Sequence, residues 1–150
     1  MGAKANQTAK TADQLRQLSF LKKDLGAYGG DLYKTRQNRA RPRPLSTHFS
    51  MHLVLRSTQA KGRQEFTNFE PKVAALLKKF ATKHGIHVHC HAVQRNHLHI
   101  HVHVPKGRQS YKRFIRALTA ALAMAVTGAS RWNPLKEKFW DARPFTRLVR

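Results

Sequence analysis

Histidine occupies every second position from His97 to His103, in the run Asn96-His97-Leu98-His99-Ile100-His101-Val102-His103-Val104. Side chains alternate across an extended strand, so the four imidazoles share one face and Leu98, Ile100, Val102 and Val104 share the other. Two imidazoles two residues apart sit about 7 Å apart at the backbone, within reach of one divalent cation. An ion held by His97 and His99 would polarise a phosphodiester for attack by a tyrosine or by water. The preceding run, Ile86-His87-Val88-His89-Cys90-His91-Ala92-Val93, has the same period. Gln94-Arg95-Asn96 between the two reads as the turn of a hairpin, which sets two histidine rows side by side on one sheet face. The competing use of these residues is a polar face on which histidines stack, hydrogen-bond or touch phosphates.

Charge narrows the partner. The 150 residues carry 29 Lys and Arg against 7 Asp and Glu, a formal net charge of +22, and such a field favours polyanions, with nucleic acid first among them. A membrane partner is not expected, because no apolar run approaches the roughly 20 residues of a transmembrane span. Residues 1–10 lack the apolar core of a signal peptide, so the expected location is cytoplasmic. Cys90 is the single cysteine, which excludes an internal disulfide and a cysteine-based zinc cluster. Strand alternation assigns it to the apolar side, as core.

Residues 1–46 differ in composition from the remainder. Leu15, Leu18, Leu21 and Leu25 have helical spacing over residues 13–25 and Gly26 stops that helix. Lys34-Thr35-Arg36-Gln37-Asn38-Arg39-Ala40-Arg41-Pro42-Arg43-Pro44 then has almost no apolar content. It reads either as a flexible linker or as an arm whose Arg36, Arg39, Arg41 and Arg43 grip phosphates. The domain is expected over residues 47–150. Residues 47–56 alternate Phe49, Met51, Leu53 and Leu55 with His48, Ser50, His52 and Val54, a half-buried strand. Thr67-Asn68-Phe69-Glu70 has the pattern of a capping box before a helix over 71–84, whose stripe is Val73, Leu76, Leu77, Phe80 and Ala81. Residues 105–108 form a basic loop, and Ser110 is placed to cap a second helix over 110–126 with Phe114, Ile115, Leu118, Leu122, Ala125 and Val126 inward. A short strand over 145–149 closes the domain. Strand, helix, strand, strand, helix, strand predicts an α+β two-layer sandwich, mostly antiparallel, of ferredoxin-like order.

Lys106, Arg108, Lys112, Arg113 and Arg116 lie near the second helix's N-terminus, which itself favours anions, and are the domain's expected nucleic-acid contacts. Trp132 and Trp140 serve either the core or base stacking. Ala117, Ala121 and Met124 form a small-residue face on which two copies could pair.

Arg95-Asn96-His97-Leu98-His99, opening a strand after a hairpin turn, resembles the signature of the single-tyrosine transposases of the HUH superfamily, the group that includes the repeat-associated tyrosine transposases. Further similarity lies in Arg43-Pro44-Leu45 before the first strand, in the helix over 71–84, and in Phe139-Trp140-Asp141-Ala142-Arg143-Pro144-Phe145 before the last strand; together these cover residues 43–150. The resemblance implies that His97 and His99 bind magnesium or manganese. It also implies a nucleophilic tyrosine on the helix after the metal strand, cutting and joining single-stranded DNA through a phosphotyrosine, in a homodimer. Here that helix offers only Tyr111, in its first turn, with Ile115 one turn on where the family commonly has a polar ligand; Tyr28 and Tyr33 lie in the arm. Covalent catalysis does not survive the loss of its nucleophile. The expectation is therefore a catalytically lapsed relative that binds single-stranded or hairpin DNA. The alternatives are an active transposase with Tyr111 as a displaced nucleophile, and a ribosome-associated RNA-binding protein.

If the arm grips phosphates, neutral substitution of Arg39, Arg41 and Arg43 should flatten the slope of log affinity against log salt by about 0.7 to 0.9 for each phosphate no longer neutralised. An unchanged slope in a salt titration of oligonucleotide binding would make the arm a linker.

Overall fold

The structure, a computed structural model, describes residues 45–149; the helix expected over 13–25, the arm cations Arg36, Arg39, Arg41 and Arg43, and Tyr28 and Tyr33 lie outside them. The described residues form β1 (Ser50–Arg56), α1 (Glu70–His84), β2 (His87–Val93), β3 (His97–His103), α2 (Gly107–Thr127) and β4 (Phe145–Val149), with two 3-10 turns, Gly62–Gln64 and Phe66–Phe69, between β1 and α1. The strands make one sheet in the order β2-β3-β1-β4, and every neighbouring pair is antiparallel. The βαββαβ order is that of the ferredoxin-like sandwich, with the hairpin β2-β3 linking the two halves.

Periodicity accounts for the layers. Met51, Leu53 and Leu55 of β1 and Leu98, Ile100 and Val102 of β3 are buried. They share a core with Val73, Leu77 and Ala81 of α1 and with Tyr111, Phe114, Leu118, Leu122 and Val126 of α2. Both helices therefore cover the apolar face of the sheet. Ile115 and Ala125 are half-buried, and Phe49, expected inward, is 47% exposed beyond the start of β1.

Local chemistry departs from the sequence reading at the helix starts. No side chain caps α1; Thr67 and Asn68 belong to the 3-10 turn, and the Asn68 amide donates to the Gly62 carbonyl at 3.0 Å. Pro71 in the first turn needs no partner for its nitrogen and stands in for the cap. Helix α2 begins at Gly107 rather than Ser110, so Gly107 and Arg108 are helical and not part of a loop. The Ser110 hydroxyl donates to the His84 carbonyl, tying the first turn of α2 to the last turn of α1. Gly85 ends α1 at φ +63°, a conformation that favours glycine. The aliphatic stem of Lys106 packs there: a Cβ on Gly85 would lie 2.8 Å from Lys106 Cε.

Strand β2 is the outer edge beside β3 and carries a bulge between Val88 and Cys90. The extra residue shifts the alternation, so Cys90 pairs opposite His101 and is exposed. Its expected place in the core is thereby corrected. After α2 the chain returns to β4 through a segment pinned by aromatic packing. Phe139 is buried, the Ser57 hydroxyl donates to its carbonyl, and Trp140 stacks on Phe66 at 5.6 Å while its indole donates to the Thr119 carbonyl at 3.0 Å.

Phe114 is fully buried where α2 meets the sheet core. Phe114→Ala should cost about 3 to 5 kcal/mol, and Met124→Ala, at a position 47% exposed, should be near neutral. The denaturant midpoints of the two variants check both.

Candidate metal and nucleic-acid face

The face of the sheet turned away from the helices is built from the other half of each alternation. It presents His97, His99, His101 and His103 from β3, all half-buried, and Ser50, His52, Val54 and Arg56 from β1. Register places Arg147 of β4 opposite His52 and Arg56 opposite His97. From β2, His87 faces His103 with ring centroids 5.7 Å apart, and His89 faces His101 at 4.8 Å. His91, beyond the bulge, pairs opposite Ile100 and so leaves the row.

At the outer end of the array the imidazoles are tied to the protein. His103 Nε2–H donates to the Thr47 carbonyl at 2.8 Å, and Ser50 Oγ lies 3.2 Å from His89 Nε2. At the other end, His97 and His99 sit with centroids 4.8 Å apart and planes at 74°. His97 Nδ1–H donates to Asn96 Oδ1 at 2.8 Å, which fixes the tautomer and leaves the Nε2 lone pair outward. His99 stacks on His52, with centroids 5.0 Å apart and planes within 7°, and its Nδ1 lies 2.8 Å from His52 Nε2. The contact is diagonal, since the register partner of His52 is His101. One proton is shared across it. If His99 Nδ1–H donates to His52, then His99 Nε2 keeps a lone pair, the arrangement found where an outer residue orients a metal-binding histidine.

Burial holds the His52 and His97 imidazoles below the ordinary histidine range. For His52 the neighbouring His99, then Arg147 and His101, add to that effect; for His97 it is His99, then Arg56. Both are thus biased toward the neutral form, which is the one that binds metal. Among the described residues, no three His, Cys, Asp or Glu side chains form a group fit to hold a metal ion. His97 and His99 are two imidazoles side by side, without a third such donor grouped with them among the described residues.

Tyr111 is 8% exposed within the core on the helix-covered side of the sheet. The sheet separates it from His97 and His99, and the structure does not bring the three together. Arg108, Lys112, Arg113 and Arg116 are exposed, but they lie on the helical layer and not on the histidine face. Lys106 is exposed too, with its stem committed to Gly85. The cations on the histidine face are Arg56 and Arg147, which the sequence reading missed. The signal was present in their strand positions: Arg56 continues the period of His52 and Val54, and Arg147 sits two residues from Phe145. The contact of His52 with His99 needed strand register and had no signal in one sequence. No helix of the described residues is long and apolar enough to cross a membrane.

Fold and face together define an α+β domain whose central strand carries paired imidazoles on the open side of an antiparallel sheet. The chain belongs to the IS200-like transposase family, whose model matches residues 46–148. Among solved structures it is similar to a REP-associated tyrosine transposase bound to a REP hairpin, with a TM-score of 0.58 and 13% identity over 75% of this chain. It spans 63% of that protein's length. It is also similar to a presumed transposase from Deinococcus radiodurans R1, with a TM-score of 0.51 and 18% identity over 77% of this chain and 87% of the other. No curated protein matches the chain in sequence.

The lowered imidazoles of His52 and His97 carry a sign for stability. Just below the ordinary histidine value of 6.5 the unfolded chain binds their protons before the folded chain does, so stability falls as pH drops through that window. Unfolding by denaturant should therefore show lower stability at about pH 5.5 than at about pH 7.5, and the difference should shrink in His97→Asn and His52→Asn.

Proposed function

We propose that this protein binds single-stranded or hairpin DNA across its histidine face, with a divalent cation held by His97 and His99, and that it is catalytically lapsed with respect to Tyr111. The observation that carries the reading is the separation of layers. The imidazole pair lies on the open face of β3, while Tyr111, the one tyrosine among the described residues, is buried beneath the opposite face. A buried phenol on the far side of a four-stranded sheet does not reach a phosphate at His97 and His99.

The donor chemistry fits a cation in part. Two imidazoles whose Nδ1 atoms are engaged by Asn96 and His52 would offer two Nε2 lone pairs, and imidazole suits zinc better than magnesium. When bound, such an ion would withdraw electron density from a phosphodiester oxygen. The chain's own groups do the rest: Asn96 and His52 orient the ligands, and Arg56 and Arg147 supply positive charge for phosphate on the same face. DNA as the polyanion is supported by the hairpin held by the similar REP-associated transposase. Homodimerisation would use α2, where Met124 is exposed beside the half-buried Ala117 and Ala121.

Incubation with hairpin DNA and manganese should give a complex that dissociates fully in denaturant, in wild type and in Tyr111→Phe alike. Manganese-dependent thermal stabilisation should vanish in the double variant His97→Ala, His99→Ala and survive in His87→Ala. A denaturant-resistant adduct lost in Tyr111→Phe would restore an active transposase. Preference for the same hairpin in RNA would move the protein to the RNA-binding class.

A further inference from the structure

Resting on the nucleic-acid reading above, we propose that Trp132 is a stacking platform for an unpaired base of a single strand. The two tryptophans of the chain have opposite environments. Trp140 is committed to the fold through Phe66, Phe139 and the Thr119 carbonyl, whereas Trp132 is 88% exposed.

Exposure alone would not distinguish it, because isolated apolar residues on a surface are common. What distinguishes Trp132 is that the backbone presents it. Ser130 N–H donates to the Asn133 carbonyl at 3.0 Å, and Asn133 N–H donates back to the Ser130 carbonyl at 3.2 Å and to Ser130 Oγ at 3.1 Å. These reciprocal bonds close a tight turn with Arg131 and Trp132 at its tip. The Arg131 guanidinium lies 5.5 Å from the Trp132 ring centroid, a cation against one face of an indole with the rest of the ring in solvent. An aromatic ring with an adjacent arginine is the pair that holds unstacked bases without regard to sequence.

The surrounding segment is charged to suit. Its two acids, though exposed, are each engaged by the body of the domain: Asp141 accepts from Thr58 and pairs with Arg56 at 3.6 Å, and Glu137 accepts from Gln59. Arg131, Lys136, Lys138 and Arg143 are exposed or half-exposed around it. The same anchors fix where the segment lies. Asp141 N–H donates to the Arg56 carbonyl, and Arg56 is the register partner of His97, so the segment is fastened at the end of the sheet where the imidazole pair begins. A single strand needs stacking surface that duplex DNA, with its bases already stacked, does not use, so the occupant is single-stranded.

Because the chain has two tryptophans in different settings, its own fluorescence resolves the site. The full chain is titrated with oligothymidylate, following intrinsic fluorescence and the anisotropy of a labelled strand together. Quenching that saturates with the anisotropy change is expected in wild type, and its loss in Trp132→Phe, where only Trp140 reports. Trp132→Ala should weaken binding roughly tenfold or more, with Trp132→Phe intermediate because phenylalanine still stacks, and a duplex of equal length should bind without quenching. Binding without quenching in wild type, or quenching that survives in Trp132→Phe, overturns the platform while leaving nucleic-acid binding intact. No anisotropy change at any concentration overturns both.

Discussion

The burial of three alternating side chains on one central strand is the constraint on which the rest of the molecule depends. Leu98 is 1% exposed and Ile100 and Val102 are fully buried, between β2 and β1 in the middle of the sheet. A slip of one residue would drive four imidazoles into the core and three aliphatic chains into water. Register at this strand is therefore enforced by the hydrophobic effect and not by the histidines themselves. The face that offers chemistry is a by-product of the face that folds.

Confinement on that open face sets the electrostatics. Rings stand 4.8 to 5.7 Å apart with Arg56 and Arg147 beside them, and burial together with these neighbours lowers the pKa of His52 and His97. The array meets this by hydrogen bonding, with each end of the β3 row held by a different acceptor: the Asn96 side chain for His97 and the Thr47 carbonyl for His103. Arg56 and Arg147 at the rim of the row keep their charge at any physiological pH.

What the sequence disclosed followed from periodicity, and what it concealed followed from contacts made at a distance. Alternation in β1 and β3 and the stripes of both helices give the element order and the two layers. Residue preference at a helix start was a weaker guide, because Ser110 serves another helix through the His84 carbonyl and Asn68 serves a 3-10 turn. Cys90 was misplaced by a bulge, which strict alternation does not foresee. The His52–His99 contact required knowing that β1 pairs with β3, and along the diagonal at that. For Tyr111, the helical stripe showed which residues turn inward, but not that inward means away from the histidines.

That last point explains how the two halves of a metal-assisted covalent chemistry can be kept separately. The imidazole pair sits on the strand whose apolar partners hold the domain together, so its placement survives for as long as the fold does. Tyr111 belongs to that same core, on the covered side of the sheet, and not to the open side where His97 and His99 stand. Substitution of the imidazoles themselves would leave the aliphatic contacts of β3 in place, whereas a slip in its register would carry the imidazoles inward and cost the whole core.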